Sequence, residues 1–351
     1  MTTSLTPQPR SDGKSGGSDP ATAPKVARLR VLVLYAFSRC DCRCGMCDIW
    51  RETESRALDP AAIAAELSEW RAGGLERVVL SGGESLLHPQ PEALFSALAP
   101  VPITLLTSGI SLARHAENIA RSSVDEVILS LDGPDWLHNR IRGRADAFER
   151  LQAGVAALRV AAPDLRLSAR STVQAANLAH LRGTVAQARE LGLAGISFLA
   201  VDAHSGAFNR PAQPAGGDGA DLLPDENGLA ALACELSALE DAESAAFESG
   251  FIAESPEKLR RRLWAHFRAE LGLAAHPPLT CNAPWVSAVV ESDGRMRPCF
   301  FHEPVAMWRP GAMPLLEAFA GPVAQGYRDR LRVADHPTCR RCVCNLNLAD
   351  S

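Results

Sequence analysis

The chain reads as an α/β protein built on a parallel sheet. Short β-branched apolar runs alternate with helix-length stretches between residues 31 and 201, and alternation of that kind builds βαβ units. The apolar runs also end in polar, glycine or cysteine residues, at the strand ends where α/β barrels and open parallel sheets place their chemistry. With 351 residues and 46% hydrophobic content, the chain can bury a large core.

The elements follow in order. Residues 1–27, rich in Ser, Gly, Pro and Asp, lack hydrophobic periodicity and read as a disordered tail. Strand 31–37 is followed by helix 59–70, where Asp59 is the expected N-cap and Pro60 takes the first helical position. Then come strand 78–80 and helix 91–98, strand 103–106 and helix 111–121, and strand 127–131 and helix 145–160. Strand 165–173, helix 178–191 and strand 196–201 complete a core spanning 28–203. Residues 204–228, with clustered Pro, Gly and Asp, read as a linker or mobile loop. A helical segment, 229–275, leads to a small α+β cysteine-rich domain, 276–351. There Asp293-Gly294 between two apolar runs signals a β-hairpin.

The formal charge of −5 leaves no electrostatic footprint for nucleic acid. No segment approaches the ~20 apolar residues of a membrane span, and the first residues lack the apolar core of a secretory signal. Ten cysteines in clustered, uneven spacings read as reduced metal ligands, which implies a cytoplasmic protein.

Cys40, Cys44 and Cys47 form a C-x3-C-x2-C loop directly after the first strand. Three thiolates on one loop can hold a cubic iron-sulfur cluster by three irons and leave the fourth open for chemistry. In the C-terminal region Cys281, Cys299, Cys339 and Cys342 could hold a second metal group, with Cys344 as a competing fourth ligand. Those spacings allow either a [4Fe–4S] cluster or a structural zinc. Cys42 is expected to be a bystander and Cys234 a buried thiol; His138 and His204 are expected to be structural or exposed.

Beyond the cysteine loop, Ser81-Gly82-Gly83-Glu84, Thr107-Ser108-Gly109, Ser130-Leu131-Asp132-Gly133 and the loop 138–143 follow one another in an order that resembles the radical S-adenosylmethionine (SAM) superfamily. The resemblance implies a partial (β/α)6 barrel and a [4Fe–4S] cluster with three cysteine ligands that binds SAM. It implies that Gly82, Gly83 and Glu84 hold the methionine amino group, and that Arg170 takes its carboxylate. Ser130 would lie near the cofactor, and Met46 against the adenine. The pattern Cys281-x12-Gly294-x4-Cys299, followed by Cys339-x2-Cys342, resembles a shortened SPASM or twitch domain, and implies one auxiliary [4Fe–4S] cluster.

The same resemblance implies reductive cleavage of SAM to a 5'-deoxyadenosyl radical, which abstracts a hydrogen atom from substrate, with flavodoxin or ferredoxin as electron donor. A small metabolite such as a sugar or aminocyclitol, oxidised or epimerised, is the leading substrate class; a peptide is the alternative. A noncatalytic metal or redox-binding protein is the opposing class.

Overall fold

The computed structural model describes residues 27–210 and 220–349. The tail expected over 1–27 thus lies outside the described residues, apart from Ala27, as does 211–219 of the expected linker. Six strands, β1 (Val31–Phe37), β2 (Arg77–Gly82), β3 (Ile103–Thr107), β4 (Val124–Ser130), β5 (Arg166–Val173) and β6 (Ile196–Ala200), alternate with helices. These are α1 (Pro60–Ala72), α2 (Pro91–Leu98), α3 (Leu112–Ala120), α4 (Asp135–Arg142), α5 (Ala147–Ala161) and α6 (Leu181–Glu190). The Asp59 carboxylate caps α1 by accepting from the Ala61 amide. Helix α4 was not expected: 138–143 reads as a loop, yet its last turn closes on Gly143 in the left-handed region, φ 63°.

The strands pair in the order β6-β5-β4-β3-β2-β1, all parallel. Alternate residues along each strand serve different faces. Leu32, Leu34, Val78 and Leu80 pack into the large core shared with the helices. Val31, Val33 and Val79 form a second apolar cluster on the opposite face, where Tyr35, Leu106 and Phe300 pack against them. That opposite face carries the walls of the main cavities.

The C-terminal region does not fold as a separate layer. The expected hairpin forms between β7 (Ser287–Val290) and β8 (Arg295–Arg297), turning at Gly294 with φ 86°, and β9 (Ala306–Met307) adds beside it. Strand β7 pairs in parallel with β1, Val31 against Ser287 through Leu34 against Val290, so one nine-stranded sheet runs through both regions. The Glu66 carboxylate of α1 reinforces the junction by accepting from Trp308 Nε1 and the Leu315 amide. A sequence pattern cannot reveal this pairing because β1 and β7 are 250 residues apart and either edge of a parallel sheet offers the same hydrogen bonds.

The helical segment is built from α7 (Glu226–Ala242) and shorter pieces, including Pro256–Leu259, a π-helical turn over Arg260–Trp264 and Ala265–Glu270. Of the expected linker, 220–228 is partly helical, since α7 already begins at Glu226, and 204–210 packs against the cysteine loop through the Asp48 amide, which donates to the Phe208 carbonyl at 2.9 Å. Among the described residues no helix is long and apolar enough to cross a membrane.

Candidate active site and metal centres

The loop after β1 brings Cys40, Cys44 and Cys47 to the rim of a cavity of about 260 Å³, where Met46, Gly82, Gly83, Glu84, Ser130 and Arg170 also lie. The structure thus gathers the residues expected to hold the cluster and SAM at one place. Cys42 lines it too, although it was expected to be a bystander. Burial pushes the Cys47 thiol up to about 12. Such a thiol ionises when a metal takes the place of its proton, so the donor set suits a bound cluster.

Beneath the loop, Arg142 and Asp132 form a buried ion pair, and Arg142 Nη1 stands 3.7 Å from Cys44 Sγ. The Arg43 amide donates to the Arg142 carbonyl, which fastens the cysteine loop to the end of α4. Asp132 is itself fixed by the Thr172 amide, and Asn177 donates to its carbonyl. No role for Arg142 followed from the sequence; the signal was its place twelve residues after the end of β4, at the end of the 138–143 motif. His138 is fully buried and accepts from the Asp132 amide, and burial, followed by Arg142, lowers it to about 4. It is a neutral structural histidine.

The glycine pair is set by close approach. Gly82 has φ 102°, and a Cβ on Gly83 would stand 2.2 Å from the Arg39 carbonyl oxygen. The Glu84 amide donates to that carbonyl, so the end of β2 and the cysteine loop hold each other. The Glu84 carboxylate accepts from Thr107 Oγ1, from the Ser108 amide and hydroxyl, and from the Leu86 amide. It therefore anchors the loop after β3. Burial, followed by the neighbouring Asp41 carboxylate, raises it to about 7. Asp41, which accepts from Ser108 and Ser111, was not foreseen.

Arg170 lies on β5 opposite Ser130 of β4, with its Nε donating to Ser197 Oγ at 3.3 Å. Met46 is buried, and Gln174 Nε2 approaches its sulfur at 3.8 Å.

Cys281, Cys299, Cys339, Cys342 and Cys344 line a second cavity of about 220 Å³. It shares Arg170, Leu106, Ile128, Leu199, Phe300, Phe301 and Cys344 with the first, so the two cysteine sets face one connected interior. Burial pushes Cys299 and Cys339 up to about 12, and the Tyr327 hydroxyl is buried with no partner beside these thiols. An orphaned donor next to buried thiols fits a group that offers acceptors there. His302 Nε2 lies 3.2 Å from Cys339 Sγ, a contact that sequence spacing did not suggest. Phe208, Phe300 and Phe301 pack together between the two sets. Cys234 is exposed, not buried as expected, because α7 turns its apolar stripe of Leu229, Leu232, Leu236 and Leu239 inward and leaves position 234 outside. His204 is held by Glu270.

Comparison with known proteins agrees with this geometry. Residues 34–169 match the radical SAM superfamily, and residues 281–343 match the SPASM iron-sulfur cluster-binding domain. A GTP 3',8-cyclase of Mycobacterium marinum is 33% identical over 168 residues, 43% of this chain and 46% of that protein. An AdoMet-dependent heme synthase of Methanosarcina barkeri is 34% identical over 119 residues, 33% of this chain and 34% of that protein. The chain spans less than half the length of these curated relatives. Among solved structures, Streptococcus suis SuiB bound to S-adenosylmethionine superposes with a TM-score of 0.63 at 15% identity, covering 91% of this chain and 73% of that one. The enzyme anSMEcpe with bound AdoMet gives 0.63 at 17% identity, covering 90% and 86%. The barrel therefore carries a [4Fe–4S] cluster that binds SAM, and the C-terminal region an auxiliary iron-sulfur cluster. Residues 34–169 belong to the radical SAM superfamily, and residues 281–343 form a SPASM-type domain.

Proposed function

We propose that this radical SAM enzyme abstracts a hydrogen atom from a compact polar metabolite, such as a sugar or aminocyclitol, held in the interior between its two cysteine sets. The observation that carries the reading is the wall of that interior. Glu254, Lys258, Arg262 and Arg170 line that cavity together with Cys281 and Cys299, so charged groups of both signs face one small volume. Such groups suit hydroxyl and amino functions, and the aromatic side chains of Phe300 and Phe301 exclude water around them.

In this reading Cys40, Cys44 and Cys47 hold the catalytic cluster, and Cys281, Cys299, Cys339 and Cys342 hold the auxiliary one, with Cys344 as the alternative ligand. When reduced by a flavodoxin or ferredoxin, the catalytic cluster supplies the electron that cleaves SAM to methionine and the 5'-deoxyadenosyl radical. Gly82 and Gly83 present backbone to the methionine amino group while Glu84 adds its charge. Arg170 would take the methionine carboxylate, Ser130 would lie near the cofactor, and Met46 would pack against adenine. Reduced thiols at both sets suit a cytoplasmic setting.

A second reading, a peptide substrate, draws on the apolar share of the same wall: Leu106, Ile128, Leu199, Phe300 and Phe301 would receive an apolar side chain. The test is anaerobic turnover with deuterated sugars and aminocyclitols, GTP and short peptides. The proposal expects deuterium in 5'-deoxyadenosine from a small metabolite; label arriving only from a peptide would replace it with the second reading.

A further inference from the structure

Outside the two sets of cysteine ligands, three imidazoles converge on a single carboxylate. His266 and Glu270 lie four residues apart on the helix Ala265–Glu270, which puts them on one face. His276 approaches from the segment that follows, and His204 from the loop after β6. His276 Nε2 stands 2.7 Å and His266 Nε2 3.9 Å from Glu270 Oε1, while His204 Nε2 stands 2.5 Å from Oε2. The ligand atoms of His266, Glu270 and His276 all lie within 4.8 Å of one another. The Glu270 side chain is only 3% exposed.

His276 and His204 already satisfy the two carboxylate oxygens, and His266 Nε2 at 3.9 Å is too far to hydrogen-bond Oε1, so one imidazole stands at this buried carboxylate beyond what hydrogen bonding explains. Nitrogen and oxygen donors gathered this closely, all within 4.8 Å of one another, match what a metal requires. We propose that His266, Glu270 Oε1 and His276 bind a divalent transition metal of the zinc class, and that His204 holds the free oxygen of Glu270 in place. Imidazole with carboxylate is a donor set that suits zinc, and an outer hydrogen bond to a ligating carboxylate is its usual companion. Three protein ligands leave a position for water. A cavity of about 340 Å³, lined by His204, His276, Asp202, Arg340 and Arg341, adjoins the ligands and gives that water access.

The site joins two functional segments. His204 begins the loop whose Phe208 carbonyl receives the Asp48 amide beside Cys47, and His276 precedes Cys281 by five residues. A metal here would tie the flank of the catalytic loop to the entry of the auxiliary domain.

The experiment uses the full chain with its clusters in place, titrated anaerobically with cobalt(II) and, separately, analysed for zinc, iron and sulfide. The expected result is about one cobalt per chain with the weak visible bands of a nitrogen and oxygen site. H266Q and H276Q should each weaken binding by about tenfold or more, with iron and sulfide unchanged. H276Q lies outside any helix and keeps the proposal testable should H266Q fail to fold. The proposal is overturned by wild-type protein that takes up no stoichiometric cobalt or zinc, by H276Q binding as wild type does, or by intense thiolate charge-transfer bands that place the metal on cysteine.

Discussion

Arg142 and Asp132 form an ion pair of 2.5 Å, and the same guanidinium reaches within 3.7 Å of Cys44 Sγ. Asp132 is fully buried, so the pair links the end of β4 to the cysteine loop through charges that have no water to fall back on. Breaking such a pair by removing one partner leaves a buried charge alone, which costs about 3–5 kcal/mol. R142M should therefore destabilise the chain by that order in a urea unfolding series. The R142M/D132N double variant should recover a large part of the loss. Equal destabilisation by the single and double variants would show that the pair does not act as a unit.

Glu84 gives a pH signature. Its folded value of about 7 lies above an unfolded carboxyl near 4.3. Between those values the folded chain binds more protons than the unfolded one, so the stability this group contributes is present at low pH and lost as pH rises through about 7. Relative to E84Q, the wild-type protein should lose stability between pH 5 and pH 8. Parallel stability curves for the two proteins would contradict the assignment.

Gly83 is predicted to be intolerant of a side chain. A methyl group would meet the Arg39 carbonyl at 2.2 Å, and backbone must move to admit it. G83A should weaken SAM binding in an equilibrium titration, with a strain of about 1–3 kcal/mol. Affinity equal to wild type would show that this approach is not needed.

Much of this site was legible because it is local. The three cysteines, Gly82-Gly83-Glu84 and Ser130 lie at strand ends that short continuous apolar runs announce, and strand 31–37 and helix 91–98 match the structure residue for residue. What was not legible depends on contacts distant in sequence. Arg142 reaches Cys44 across 98 residues, and Asp41 meets Ser108 across 67. The pairing of β1 with β7 left no local trace, and α4 was obscured because it is only eight residues long and its last half lies where the resemblance implied a loop. No sequence motif marks Phe300 and Phe301, which follow β8 in the chain and line the cavity.

The auxiliary ligands are tested by counting metal. A protein with Cys40, Cys44 and Cys47 all replaced by Ala, reconstituted without oxygen, should retain about four irons and four sulfides. Further removal of Cys281 or Cys339 should abolish the remaining charge-transfer absorbance. Removal of Cys344 should leave it intact, whereas its loss would make Cys344 a ligand in place of Cys342.

The central claim, a SAM-cleaving centre on the loop after β1, is tested most directly by 5'-deoxyadenosine formation under anaerobic reduction. Wild-type and C42A proteins should produce it; C40A, C44A and C47A should not, since two thiolates cannot hold a cluster with one open iron. Formation of 5'-deoxyadenosine by C40A or C44A at the wild-type rate, or none by the fully reconstituted wild-type protein, would contradict it.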